Sequence, residues 1–274
     1  MLFPKGKRPT RRALRDFAQT QRTTSITHDP EFDSFPRPVD PEALQADAID
    51  ADYHPNPNDS PAEAGDTCAS VDDLVWVEMM REGLTFDILG IAPGDPAAFP
   101  SIEHHFDLES VPSASGYEAL QIMPGQHLSG GHNAIPVVKS MLALARDLTH
   151  HLEHLEAIVW PAARSAIGRR FFESVTTAWL EGGAFPALGL TAFTQTMDGA
   201  IQSVGLDFWI GQELRIEAPL SADKVAATRL GVRLINQLII VGGLTESERV
   251  TAPDGSRLVM RPSRNGKFIR VWQE

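Results

Sequence analysis

The chain has 274 residues, 42% of them hydrophobic and 22% charged, with a formal net charge of −12 and a single cysteine. That is an ordinary globular composition with room for one sizeable core or two small ones. The acidic balance argues against a nucleic-acid-binding body, which needs clustered Lys and Arg, and a lone Cys68 excludes an intramolecular disulfide or a thiolate metal site.

One thiol fits a reducing, cytoplasmic setting. No apolar run approaches the ~18 residues of a membrane span, and residues 1–27 lack the apolar core of a secretory signal. The charge is uneven. Residues 1–27 carry seven basic side chains against Asp16, whereas residues 28–73 carry thirteen acids against Arg37. Residues 8–20 have the pattern of a short helix, with Thr10 as N-cap and Ala13, Leu14, Phe17 and Ala18 on one face. Such a peptide is marginal alone in water, so the segment reads as a disordered basic tail. From His28 to Thr67, seven prolines and few large apolar residues read as a disordered linker. The expected organisation is therefore a tail and linker over 1–69, followed by a single domain over 70–274.

Leu74–Met80 and Leu84–Ile91, split by Arg81-Glu82-Gly83, predict a hairpin. Alternation over Ile102–Leu108 predicts a third strand, and Leu120–Met123 a fourth that Pro124-Gly125 closes. A long helix follows, N-capped by Asn133, with Val138, Met141, Leu142, Ala145, Leu148, Leu152 and Leu155 as its buried stripe. Ala157–Trp160 reads as a strand, and Ser165 as the cap of a second helix stopped by Gly182-Gly183. Leu188–Phe193 and Leu206–Ile216 read as strands, and a third helix opens at Ser221 and ends at Gly242-Gly243. Asn265-Gly266 marks a hairpin between Arg257–Met260 and Phe268–Trp272. The fold class is α+β: a mixed, largely antiparallel sheet with about three packed helices.

Val159-Trp160, Gly205–Ile216 and Val241–Glu248 together resemble an uncharacterised bacterial family, the domain of unknown function numbered 4261. The resemblance spans about residues 120–255 and carries no invariant catalytic box. It implies a bacterial source and supports the fold, and no activity comes with it.

Seven of the nine histidines fall between residues 104 and 154. Asp147, His150 and His154 have spacings that share one helix face, and such a set can hold Zn²⁺ with an open position. His104, His105, His127 and His132 are further ligand candidates. The stripe through Val138, Leu142, Ala145 and Leu152 points away from His150 and His154, so the preferred reading makes them solvated side chains. No HExxH box is present. The turn at Gly130, Gly131, His132 and Asn133 precedes a helix N-terminus, where free N–H groups can hold an anion; a tight connection needs the same glycines. Cys68 lies in the linker, and no nucleophile elbow or SxxK occurs. The expectation is a non-enzymatic interaction or accessory domain without cofactor, acting through protein contacts by its tail or a sheet face. A metal-dependent hydrolase centred on Asp147, His150 and His154 is the alternative.

Overall fold

A computed structural model describes residues 1–29, 76–252 and 255–274. Of the linker expected from His28 to Thr67, His28 instead ends a strand, and residues 30–67 and Cys68 lie outside the described residues. The first 29 residues, by contrast, are folded, and the expected tail over 1–27 is overturned. Leu2–Pro4 forms β1, Arg11–Thr20 forms α1 and Thr24–His28 forms β2. Leu2, Phe3, Leu14 and Phe17 are fully buried. Thr10 caps α1, its hydroxyl accepting from Ala13 N–H at 3.3 Å. Phe17 then meets His151 edge-on at 5.4 Å between ring centres.

Three sheets organise the described chain. The first has the order β5-β9-β8-β1-β6, from β5 (His104–Phe106), β6 (Tyr117–Ala119), β8 (Ala157–Trp160) and β9 (Ser165–Gly168) around β1. The second has the order β2-β3-β4-β7, from β3 (Trp76–Arg81), β4 (Leu84–Leu89) and β7 (Gln121–Pro124). The third has the order β10-β11-β12-β15-β14-β13. Its strands are β10 (Ala192–Gln195), β11 (Ile201–Val204), β12 (Glu213–Ile216), β13 (Glu248–Thr251), β14 (Arg257–Pro262) and β15 (Phe268–Gln273). Among the strands of the described residues, only β5/β9 and β12/β15 pair in parallel. The mixed α+β class holds, with three sheets in place of one.

Three further helices pack on these sheets: α2 (Ile135–His151), α3 (Arg169–Leu180) and α4 (Lys224–Val241). With α1 they make four helices of ten or more residues among the described residues. Asp223 caps α4 by accepting from Val225 and Ala226 N–H at 2.9 and 3.1 Å, two residues beyond the expected start at Ser221. For α2 the N-cap is Ala134 rather than Asn133, and no side chain caps it. Ser165 opens a strand instead of the second helix. Its hydroxyl donates to Gly189 O, and β9 then closes the sheet between β8 and the parallel β5. The run expected as one strand over Leu206–Ile216 is broken. Asp207–Ile210 forms a helical turn before β12, and Gly205 at φ +86° lies where a Cβ would sit 2.7 Å from Ala163 N.

One large buried cluster runs through all three sheets, from Phe3, Leu14 and Phe17 through Leu144 and Leu148 to Leu238 and Val271. Among the described residues, no helix is long and apolar enough to cross a membrane.

Candidate functional site

The structure separates the three residues expected to form a metal site. Helix α2 ends at His151, with Leu152 as its C-cap at ψ 100°. His154 therefore lies beyond the helix, and the expected i, i+4 relation with His150 is not made. His150 is exposed and meets Glu173 at 3.5 Å. Asp147 has other partners, in a partly buried ion cluster. Its Oδ2 accepts from Arg81 Nη1 at 2.5 Å, and its Oδ1 accepts from Arg146 Nε and Nη2 at 2.9 and 2.7 Å. Both carboxylate oxygens are thus committed to guanidinium groups.

The remaining histidines are also apart. His104 sits on β5 with Nε2 buried and unpartnered among the described residues, and burial pulls its pKa down. His105 Nδ1 lies 3.2 Å from Leu108 O, and His127 is 3.4 Å from the Thr85 hydroxyl. Among the described residues, no three His, Cys, Asp or Glu side chains are grouped to hold a metal ion.

The Gly130–Asn133 turn is different from the expected cradle. Gln126–Gly131 forms a 3₁₀ turn, and Gly130, His132 and Asn133 are exposed. His132 Nδ1 lies 2.9 Å from Ser129 O. The open α2 N-terminus sits two residues on, at Ala134.

Two features that sequence reasoning did not single out carry more chemistry. The first is a cavity of about 660 Å³ under α2. Met141, Leu142 and Ala145 of α2 line it together with Leu120, Ile158, Trp160 and Phe208. Met1 also lines it. The Met1 amine donates to Leu120 O at 2.8 Å, and burial pushes its pKa down to about 5. Trp160 belongs to an aromatic cluster. It stacks on Trp209 at 5.6 Å and meets Phe208 edge-on at 5.3 Å, and Trp209 in turn contacts Trp179 and Phe185.

The second feature is the outer face of the third sheet. Strand register places Thr194, Gln202, Arg215, Arg270 and Arg261 side by side across β10, β11, β12, β15 and β14. Leu214, Ile216, Ile269 and Val271 point to the opposite, buried face, where α4 packs. Three arginines directly abreast would repel each other unless compensated. Glu217, itself buried, supplies the compensation by accepting from Arg215 Nε at 2.9 Å and Arg270 Nε at 2.5 Å. Asp198 takes the far end of Arg215. The Arg270 guanidinium lies 5.0 Å from the centre of the Trp272 ring, and that of Arg261 lies 6.0 Å from it. Among the described residues, exposed Arg261 has no carboxylate partner. The alternation in LRI and FIRVWQ marks β12 and β15, the antiparallel β14/β15 pairing sets Arg261 beside Arg270, and the parallel β12/β15 pairing adds Arg215.

The three stretches that carry the family resemblance meet in space. Trp160 stacks on Trp209, and Gln212 both donates to Leu244 O at 3.0 Å and accepts from Leu244 N–H at 2.7 Å. Comparison of the chain with protein-family models, with curated proteins and with solved structures finds no match in any of the three.

Proposed function

We propose that this protein is a non-enzymatic interaction domain that binds an acidic segment of a partner protein on the outer face of its third sheet. The observation that supports this reading is the unbroken row Arg215–Arg270–Arg261, flanked by Trp272 and open at Arg261. Guanidinium groups take carboxylates in paired, directional hydrogen bonds. Arg215 and Arg270 are held by Glu217 and Asp198, so exposed Arg261, one strand spacing of about 4.8 Å from Arg270, is the guanidinium left for a partner's acidic side chain. Arg and Trp are also the side chains that dominate binding energy at interfaces.

The hydrolase alternative gains no comparable support, because two arginines occupy Asp147 and His154 lies off the helix. Kinship with the family numbered 4261 belongs to the same proposal. Its support is the packing of the Val159-Trp160, Gly205–Ile216 and Val241–Glu248 stretches into one block.

The test is calorimetric titration of a short Glu-rich peptide into the native protein and into Arg261→Glu. The native protein is expected to bind with an affinity that falls as salt rises, and the charge reversal to weaken binding by about tenfold or more, equivalent to ~1.4 kcal/mol. Equal binding by both proteins, or no salt-dependent binding by the native one, would sink the proposal.

A further inference from the structure

We propose that the cavity under α2 is a binding site for an uncharged, mainly apolar small molecule that carries one hydrogen-bonding group. This inference stands on different residues from the acidic-partner reading and does not depend on it. The hollow of about 660 Å³ falls within the roughly 300–1,000 Å³ that small-molecule sites occupy. Its lining includes Leu120, Ile122, Leu142, Ala145 and Ile158 and, among the described residues, no Asp, Glu, Lys or Arg. A charged ligand would therefore lose its hydration with no opposite charge to replace it.

The one amine on the wall changes nothing in this balance. Met1 gives one N–H to Leu120 O, and burial keeps the amine uncharged at pH 7. Three methionines, Met1, Met123 and Met141, line the space. Their unbranched thioethers adapt to irregular apolar shapes at little cost. An apolar guest would make dispersion contacts with these walls and release the water that otherwise covers them.

Polar groups are few and placed toward the exposed side. His132 and Gln121 both line the cavity and are exposed. His132 uses Nδ1 on Ser129 O, which leaves Nε2 for an outside partner. The Gln121 amide makes only a 3.8 Å contact with Met123 Sδ. The geometry thus points to a guest whose apolar body lies beneath α2 and whose hydroxyl, carbonyl or amide reaches Gln121 and His132.

The experiment uses 1-decanol as probe, with decyltrimethylammonium as its charged counterpart, followed by calorimetry on the full chain. Native protein is expected to bind 1-decanol at one saturable site, and decyltrimethylammonium at least about tenfold more weakly. Met141→Trp, which adds bulk to the lining, is expected to lose about tenfold or more in affinity while its urea midpoint without ligand stays near native. Should Met141→Trp fail to fold, Ala98→Trp at the exposed rim makes the same comparison. Uptake that never saturates, equal affinity for the charged probe, or undiminished binding by the filled variant overturns the inference.

Discussion

Asp147→Ala will destabilise the protein by about 3–5 kcal/mol in urea denaturation, the cost of stranding a buried charge. Arg81 ends β3 with its side chain 8% exposed, and Asp147 on α2 is 14% exposed. The guanidinium donates Nη1 to Asp147 at 2.5 Å and to the Thr24 hydroxyl at 3.3 Å, and its Nε is already without a partner among the described residues. Nothing remains to take over from the carboxylate. Asp147→Asn keeps an acceptor and should cost less. Replacing both partners, Arg81→Met with Asp147→Leu, should recover most of the loss, because desolvation of the ions disappears along with their attraction. The same series separates this role from metal ligation. A chelator should leave the native urea midpoint unmoved, whereas a structural ion would make chelation resemble Asp147→Ala.

Acidification from pH 8 to pH 5 will lower stability by up to about 4 kcal/mol through the Met1 amine alone. Its ordinary value is 8.0, and burial pushes it down to about 5 in the folded chain. Between these values the unfolded chain binds a proton that the folded one refuses, so stability rises with pH across that window. His104 is shifted in the same direction from 6.5, again by burial, and adds to the slope mainly around and below that value. Asp87 and Glu213 are raised from 3.8 and 4.5, chiefly by burial. Their contributions are full at low pH and are lost as pH rises through their folded values, so they oppose the trend at its acid end. Urea unfolding of native and His104→Gln proteins along this range checks the assignment. The slope above pH 6.5 should survive the substitution. A flat profile between pH 8 and 6.5 would remove the amine from the account.

The sequence made local features legible and left non-local ones hidden. The Asn265-Gly266 hairpin, the β3/β4 hairpin and the Gly242 stop of α4 depend on residues a few positions apart, and all three occur. The first 29 residues misled because their basic side chains look solvated. In the fold Arg8 donates to Glu118 Oε2 and to the carbonyls of Gly90 and Gly94, and Arg15 pairs with Asp29 at 2.6 Å. Those Arg8 partners lie some 80 to 110 residues away, beyond any periodicity. β1 is three residues long, too short to show alternation.

The candidate sites follow the same division. Helical spacing puts Asp147, His150 and His154 on one face, but α2 stops at His151 and leaves His154 beyond it. The arginine row is assembled from three strands, two of them paired in parallel, so its members are scattered along the sequence. The cavity under α2 combines residue 1 with residues near 120, 142 and 158. Only the folded chain brings these together.

The account rests on β1 being part of the core and of the cavity wall, and native-state amide exchange tests that most directly. Leu120 N–H donates to Met1 O at 2.9 Å, and Glu156 N–H donates to Leu2 O at 3.1 Å. Both amides depend on β1 for their protection. They should exchange only through large-scale opening, with a free energy close to that of the α2 amide of Val138. Rapid exchange at Leu120 and Glu156 while Val138 stays protected would show β1 detached from the sheet, and would contradict both the core and the cavity described above.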